Sequence, residues 1–156
     1  SGLTIFENPK ALPLVYLSQK IKVIPDSEEA LKHIRNSTFN PNDYTVLEEQ
    51  TEISETETEK GSVTIIRKTS STMTIKVHSV ADSLLVFTEN FYPGWRAFVN
   101  GKEVRILKAN YTFQGIPIPA GDHTIKFSFE VVYFRLAVAF TAIGLLLWFL
   151  FFVKLA

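Results

Sequence analysis

The residues best placed by type and spacing to touch a ligand form one pentapeptide, Tyr92-Pro93-Gly94-Trp95-Arg96. Pro93-Gly94 is turn chemistry: proline presets φ, and glycine supplies the positive φ that a tight reversal needs. Two amphipathic rings flank the turn and a guanidinium follows it. Exposed, Tyr92 and Trp95 would stack on sugar faces or lie at a lipid–water interface, where such rings concentrate. Trp95 also has a packing alternative. Alternation puts Trp95, Ala97 and Val99 on one face of a strand and Arg96 and Phe98 on the other, and large aromatics mostly serve packing. Asn110 joins Tyr92, Trp95 and Arg96 as a candidate glycan or interface contact.

Other chemistry finds no comparable pattern. Glycoside hydrolysis needs two carboxylates about 5–9 Å apart in a cleft. Glu89, Glu103, Asp122 and Glu130 are scattered over strands and turns, and no spacing pairs them. His33, His78 and His123 lie far apart, on a helix, a strand's polar face and beside a turn, so nothing gathers them into a metal triad. There is no GxSxG elbow and no glycine-rich phosphate loop. Cysteine is absent, which removes disulfides and thiolate metal sites. Sixteen basic residues balance sixteen acidic ones, so no basic excess points to nucleic acid. No catalytic residue, metal or cofactor is expected.

These residues need a scaffold, and the pattern after Gly61 is β. Thr72–Val80 alternates, with Met73, Ile75 and Val77 on one face. His123–Glu130 alternates again, with Ile125, Phe127 and Phe129 inward. Asn100-Gly101 between Trp95–Val99 and Glu103–Ile106 is a strong hairpin signal, because a type I′ turn needs positive φ twice. Short strands at regular spacing predict an antiparallel, jelly-roll-like sandwich over residues 61–133. Before it, residues 1–47 read as a small α/β appendage. Asp26 caps a helix there, with Glu29 three residues on and Ala30, Leu31 and Ile34 on its inner side. Residues 48–60 carry six glutamates and read as a solvated loop or linker without the Asp/Asn/Gly pattern of a calcium loop.

Residues 134–154 are expected to cross a membrane. Leu136–Val153 is eighteen residues without a charge, between Arg135 and Lys154. As a helix it would be roughly 27 Å long, close to a bilayer's hydrocarbon thickness. It has no polar face, and the remaining chain is too small to surround it. Membrane lipid is therefore an expected partner through Leu136–Val153. The flanking Arg135 and Lys154 nearly cancel, so the positive-inside rule gives no orientation.

Several segments in order carry a resemblance. They are FENPKALPLVYL (6–17), DSEEALKHI (26–34), FYPGWRAFVNGKEVRILKAN (91–110) and PIPAGDHTIKFSFE (117–130), followed directly by the apolar helix. Together they resemble the C-terminal region of the YfhO-like bacterial membrane proteins, large polytopic relatives of GT-C type glycosyltransferases. The resemblance implies an extracytoplasmic β-rich domain before a last membrane helix. It further implies a parent chain that transfers sugars from a polyprenyl-phosphate carrier to cell-envelope glycans. The catalytic carboxylate of such enzymes lies in an early loop that has no counterpart here, so the resemblance implies an accessory, non-catalytic role, and the remainder of a polytopic parent becomes an expected partner. The family pattern often has proline after the acid that ends the last strand. Here Val131 follows Glu130. A purely structural or partner-binding domain is the alternative. The sequence does not start with Met, and it reads either as a tail-anchored protein or, the expectation preferred, as the last piece of a longer chain.

Overall fold

The computed structural model describes residue 8 and residues 11–53, 61–131 and 133–155. Residues 6, 7, 9 and 10 of the FENPKALPLVYL segment and residues 54–60 of the acidic one lie outside these residues. Within them, eleven strands and two helices follow in order. They are β1 (Val15–Ser18), β2 (Ile21–Val23), α1 (Ser27–Ile34), β3 (Thr45–Leu47), β4 (Ser62–Lys68) and β5 (Thr72–Ser79). Then come β6 (Ser83–Phe87), β7 (Trp95–Val99), β8 (Lys102–Val104), β9 (Leu107–Ala109), β10 (Phe113–Ile118), β11 (Gly121–Phe129) and α2 (Phe134–Leu155).

Two sheets form a sandwich. One has the order β1-β6-β10-β9-β3-β2, and the other β4-β5-β11-β7-β8. Their facing sides share one core: Val15, Leu17, Leu85, Phe87, Ile116 and Ile118 from the first sheet meet Met73, Ile75, Val77, Ala97, Ile125 and Phe127 from the second. The predicted inward set of β5 is therefore inward, as are Ile125 and Phe127. Every pairing is antiparallel except β2 with β3.

The N-terminal α/β segment does not stand beside the sandwich. β1, β2 and β3 are hydrogen-bonded into the first sheet. The reason is visible in β6, whose five residues are all buried. Its Leu85 and Phe87 face the inter-sheet core, while Leu84 and Val86 face outward and need cover of their own. Leu47, Leu107 and Ala109 supply it, with Tyr16, Ile21 and Ile53 packed around them. α1 begins as predicted: the Asp26 side chain accepts from the Glu29 N–H at 2.8 Å, and Ala30 is its buried residue.

α2 is long and apolar enough to cross a membrane over Leu136–Lys154, and the sandwich covers none of it. Its described large side chains, among them Phe140, Leu147 and Trp148, are exposed. An apolar helix left bare on every side needs a non-aqueous surrounding.

Candidate functional site at the sandwich–helix joint

Three of the four predicted contacts belong to one place. The chain leaves β11 at Phe129 and starts α2 at Phe134, and the Tyr92–Trp95 turn is fastened against that joint. The Trp95 N–H reaches back to the Tyr92 carbonyl at 3.4 Å, and the Glu130 N–H donates to the Gly94 carbonyl at 2.9 Å. Gly94 has φ 110, and a Cβ there would stand 2.4 Å from the Glu130 carbonyl oxygen. Only glycine allows so close an approach at that φ. On the other side of the joint, Tyr133 adopts φ 68 and its carbonyl accepts from the Ala137 N–H, turning the chain into α2.

An open groove of about 820 Å³ lies along this joint, lined by Gly94, Trp95, Arg96, Glu130, Tyr133 and Leu136 among others. Tyr92 stands beside it, 65% exposed. Trp95 packs on the core and is also partly exposed. Its ring meets Phe87 edge-on at 5.6 Å and Phe129 at 5.3 Å, so it packs on the core, while its half-exposed remainder lines the groove.

Arg96 points away from the core and closes a fork on Glu103. Its Nε donates to Oε1 at 2.8 Å and its Nη2 to Oε2 at 2.6 Å. The guanidinium also lies 5.3 Å from the Phe98 ring centroid. The hydrogen bonds from Arg96 hold the Glu103 carboxyl below the ordinary glutamate range, and Glu103 in turn raises Arg96. The sign follows directly. A depressed carboxylate contributes stability above its unfolded pKa and loses it as pH falls through the lower folded value. Both partners are exposed, so the contribution is small and weakened by salt. In an NMR titration Glu103 is expected to protonate below the ordinary glutamate range. Arg96→Ala should return it to the ordinary range, and an unchanged midpoint would show that the fork is open in solution.

Asn110 lies elsewhere. It is buried at 5% exposure and sits at φ 45 in the turn between β9 and β10. Its Oδ1 accepts from the Val46 N–H at 2.8 Å, its own N–H donates to the Val46 carbonyl, and its Nδ2 donates to the Tyr16 hydroxyl at 3.3 Å. It bolts β3 to the β9–β10 turn and does not line the groove. Asn110→Ala would leave the buried Val46 N–H unpaired and place alanine in the left-handed region. We expect a loss of about 2 kcal/mol in denaturant unfolding. Asn110→Gly should recover only the backbone part. Equal stability of all three proteins would rule out the bolt.

The remaining candidates are engaged separately. His78 pairs with Asp122 at 2.8 Å, His123 contacts Asn100 and the Pro119 carbonyl, and His33 meets the Tyr44 hydroxyl at 2.7 Å. Among the described residues no three His, Asp or Glu side chains gather in a way that could hold a metal. Reasoning from sequence missed the groove's second wall, from Glu130 to Leu136. The signal was the short interval between the last strand and the apolar helix, four residues between Phe129 and Phe134, which forces some part of the sandwich to meet the helix start.

A family-wide sequence profile described as "Bacterial membrane protein YfhO" matches residues 17–141. The chain is similar to the uncharacterized protein YfhO of Bacillus subtilis (strain 168), with 29% identity over 75 residues. That stretch covers 48% of this chain and 9% of the relative, so the match spans less than a tenth of the relative's length. No solved structure matches the chain significantly. The profile takes in strands of both sheets, the turn and groove at the joint, and the first part of α2: the chain belongs to the YfhO family of bacterial membrane proteins.

Proposed function

We propose that this chain is a non-catalytic accessory domain, on the extracytoplasmic side, of a polytopic membrane glycosyltransferase that uses a polyprenyl-phosphate sugar donor to modify cell-envelope glycans. The observation that carries the proposal is the groove at the joint. Tyr92 is exposed beside it and Arg96 lines it, at the level where the apolar helix begins. A sugar held on a lipid carrier is presented at headgroup height, and an aromatic face with a guanidinium is suited to a pyranose ring and its hydroxyls. In this role the domain shapes the mouth of a remote active site and positions the acceptor. The absence of cysteine makes the sidedness directly testable. Lys102→Cys in intact cells should react with a membrane-impermeant maleimide, and labelling only after lysis would place the domain inside. Tyr92→Ala and Arg96→Ala in the polytopic parent should lower glycan transfer while the sandwich stays folded.

A second reading has its own observation. The Arg96 fork is already closed on Glu103, and the Trp95 ring is partly spent on packing. On that reading the domain is structural or binds a protein partner. Unchanged glycan transfer in both folded variants selects it.

A further inference from the structure

The edge of the sandwich around the joint exposes a continuous set of large apolar side chains that the fold leaves uncovered. Phe91 is 43% exposed, Tyr92 65%, Val131 63%, Tyr133 74%, Phe134 62% and Leu136 54%. These residues come from two distant parts of the chain. The Phe91 N–H bonds to the Thr112 carbonyl, and the Gly94 carbonyl accepts from Glu130, so backbone bonds hold the turn beside the last residues before α2. Tyr92 and Phe129 place their ring centroids 6.4 Å apart across this seam.

We infer that this edge is a second membrane contact, in which the sandwich rests its aromatic turn in the interfacial region of the bilayer. Two arguments select lipid as the occupant. The first is continuity: Val131, Tyr133 and Phe134 lead to Leu136, the first residue of the apolar span, and the Phe134 N–H to Val131 carbonyl bond keeps them together. If Leu136 enters hydrocarbon, rings one helical turn away stand at headgroup level, where Tyr, Trp and Phe are favoured. The second is charge. The Arg96 guanidinium is matched by Glu103 in a closed fork, so the edge offers no free guanidinium there to select an anionic headgroup or an acidic protein. The contact is therefore apolar and interfacial, and its depth should not change with anionic lipid content or salt. This inference stands without the glycan reading, because a purely structural domain would dock in the same way.

The chain holds no cysteine, so a single one can carry a nitroxide. The full chain with Val131→Cys would be labelled, reconstituted in phosphatidylcholine vesicles and read for collision with oxygen and with a water-soluble nickel complex. Lys102→Cys, on the hairpin at the opposite end of β7, is the distal control. The expected result is an oxygen-to-nickel accessibility ratio several-fold higher at position 131 than at 102, and unchanged when a third of the lipid is made anionic. Removing the rings with Phe91→Ser and Tyr92→Ser should lower the ratio at 131 toward the control. Equal ratios at both positions would place the edge in water. Shielding from both reagents at 131 would mean that protein covers it, either a second copy or another segment. Either outcome overturns the proposal.

Discussion

Replacing Phe127 with alanine is expected to cost the sandwich about 4 kcal/mol. Phe127 is fully buried on β11, the strand between β5 and β7 in the second sheet. It stands opposite Met73 on one side and Ala97 on the other. Its ring lies 5.0 Å from that of Phe87, which comes from the first sheet and in turn meets Trp95. Truncation would open a cavity between two sheets that cannot close toward each other, because each is held by its own hydrogen-bond ladder. Trp95 and Trp148 are the only tryptophans, so Trp148→Phe leaves Trp95 as a reporter beside this core. Denaturant unfolding in micelles, followed by its emission, should show a lower midpoint with the slope preserved. Phe127→Leu should recover more than half of the loss. A deficit below about 1 kcal/mol would mean that the two sheets are not packed through this residue.

The clear strand signals after Gly61 and the hidden pairing of β1, β2 and β3 into the first sheet have one cause. Alternation in β5 and β11 is visible because each has one buried and one solvated face, so Met73-x-Ile75-x-Val77 announces its own side. β6 has no such contrast. Ser83–Phe87 is buried on both faces, and a continuous apolar run does not say what covers its second face. The cover is β1, β3 and β9, of which two lie before the acidic segment. Long-range pairing of this kind leaves no local mark, and β9, three residues long, left no separate strand signal at all. The hairpin at Asn100-Gly101 is the opposite case. Both residues have positive φ, 52 and 83, as a type I′ turn requires. A two-residue turn fixes the register on both sides, and hence places Glu103 opposite Phe98. The fork between Arg96 and Glu103 is the diagonal neighbour of that pair, so it was within reach of the sequence.

The candidates named from residue type lie in two places. Trp95 and Arg96 line the groove, and Tyr92 belongs to the turn beside it. Asn110 was named with them, and it is buried. What separates it is φ 45 next to Tyr111 at φ 68, two consecutive left-handed residues neither of which is glycine. Such a turn is held by its surroundings, and the Asn110 amide supplies part of the hold through Val46. A side chain spent on bracing strained backbone is not free to bind.

Gly94→Ala is expected to cost about 3 kcal/mol and to loosen the joint between sandwich and helix. Two terms add. The first is conformational: φ 110 is outside the range alanine occupies without strain. The second is steric. The new Cβ would stand 2.4 Å from the Glu130 carbonyl oxygen and 3.0 Å from Phe129 Cε2, and the first of these atoms belongs to backbone that cannot swing aside. Gly101→Ala separates the terms. That residue has φ 83, and nothing lies within 4 Å of where its Cβ would be. It should lose only the backbone part, about 1 kcal/mol. The difference between the two variants measures how tightly the turn is clamped to the end of β11. A clamped joint fixes the height of the sandwich above the span. If so, Gly94→Ala in the Trp148→Phe background should also shift the Trp95 emission to the red, as the ring parts from Phe129. If the two alanine variants lose the same stability and Trp95 emits unchanged, the strand end yields freely. The groove would then be a consequence of loose proximity and not of a built contact.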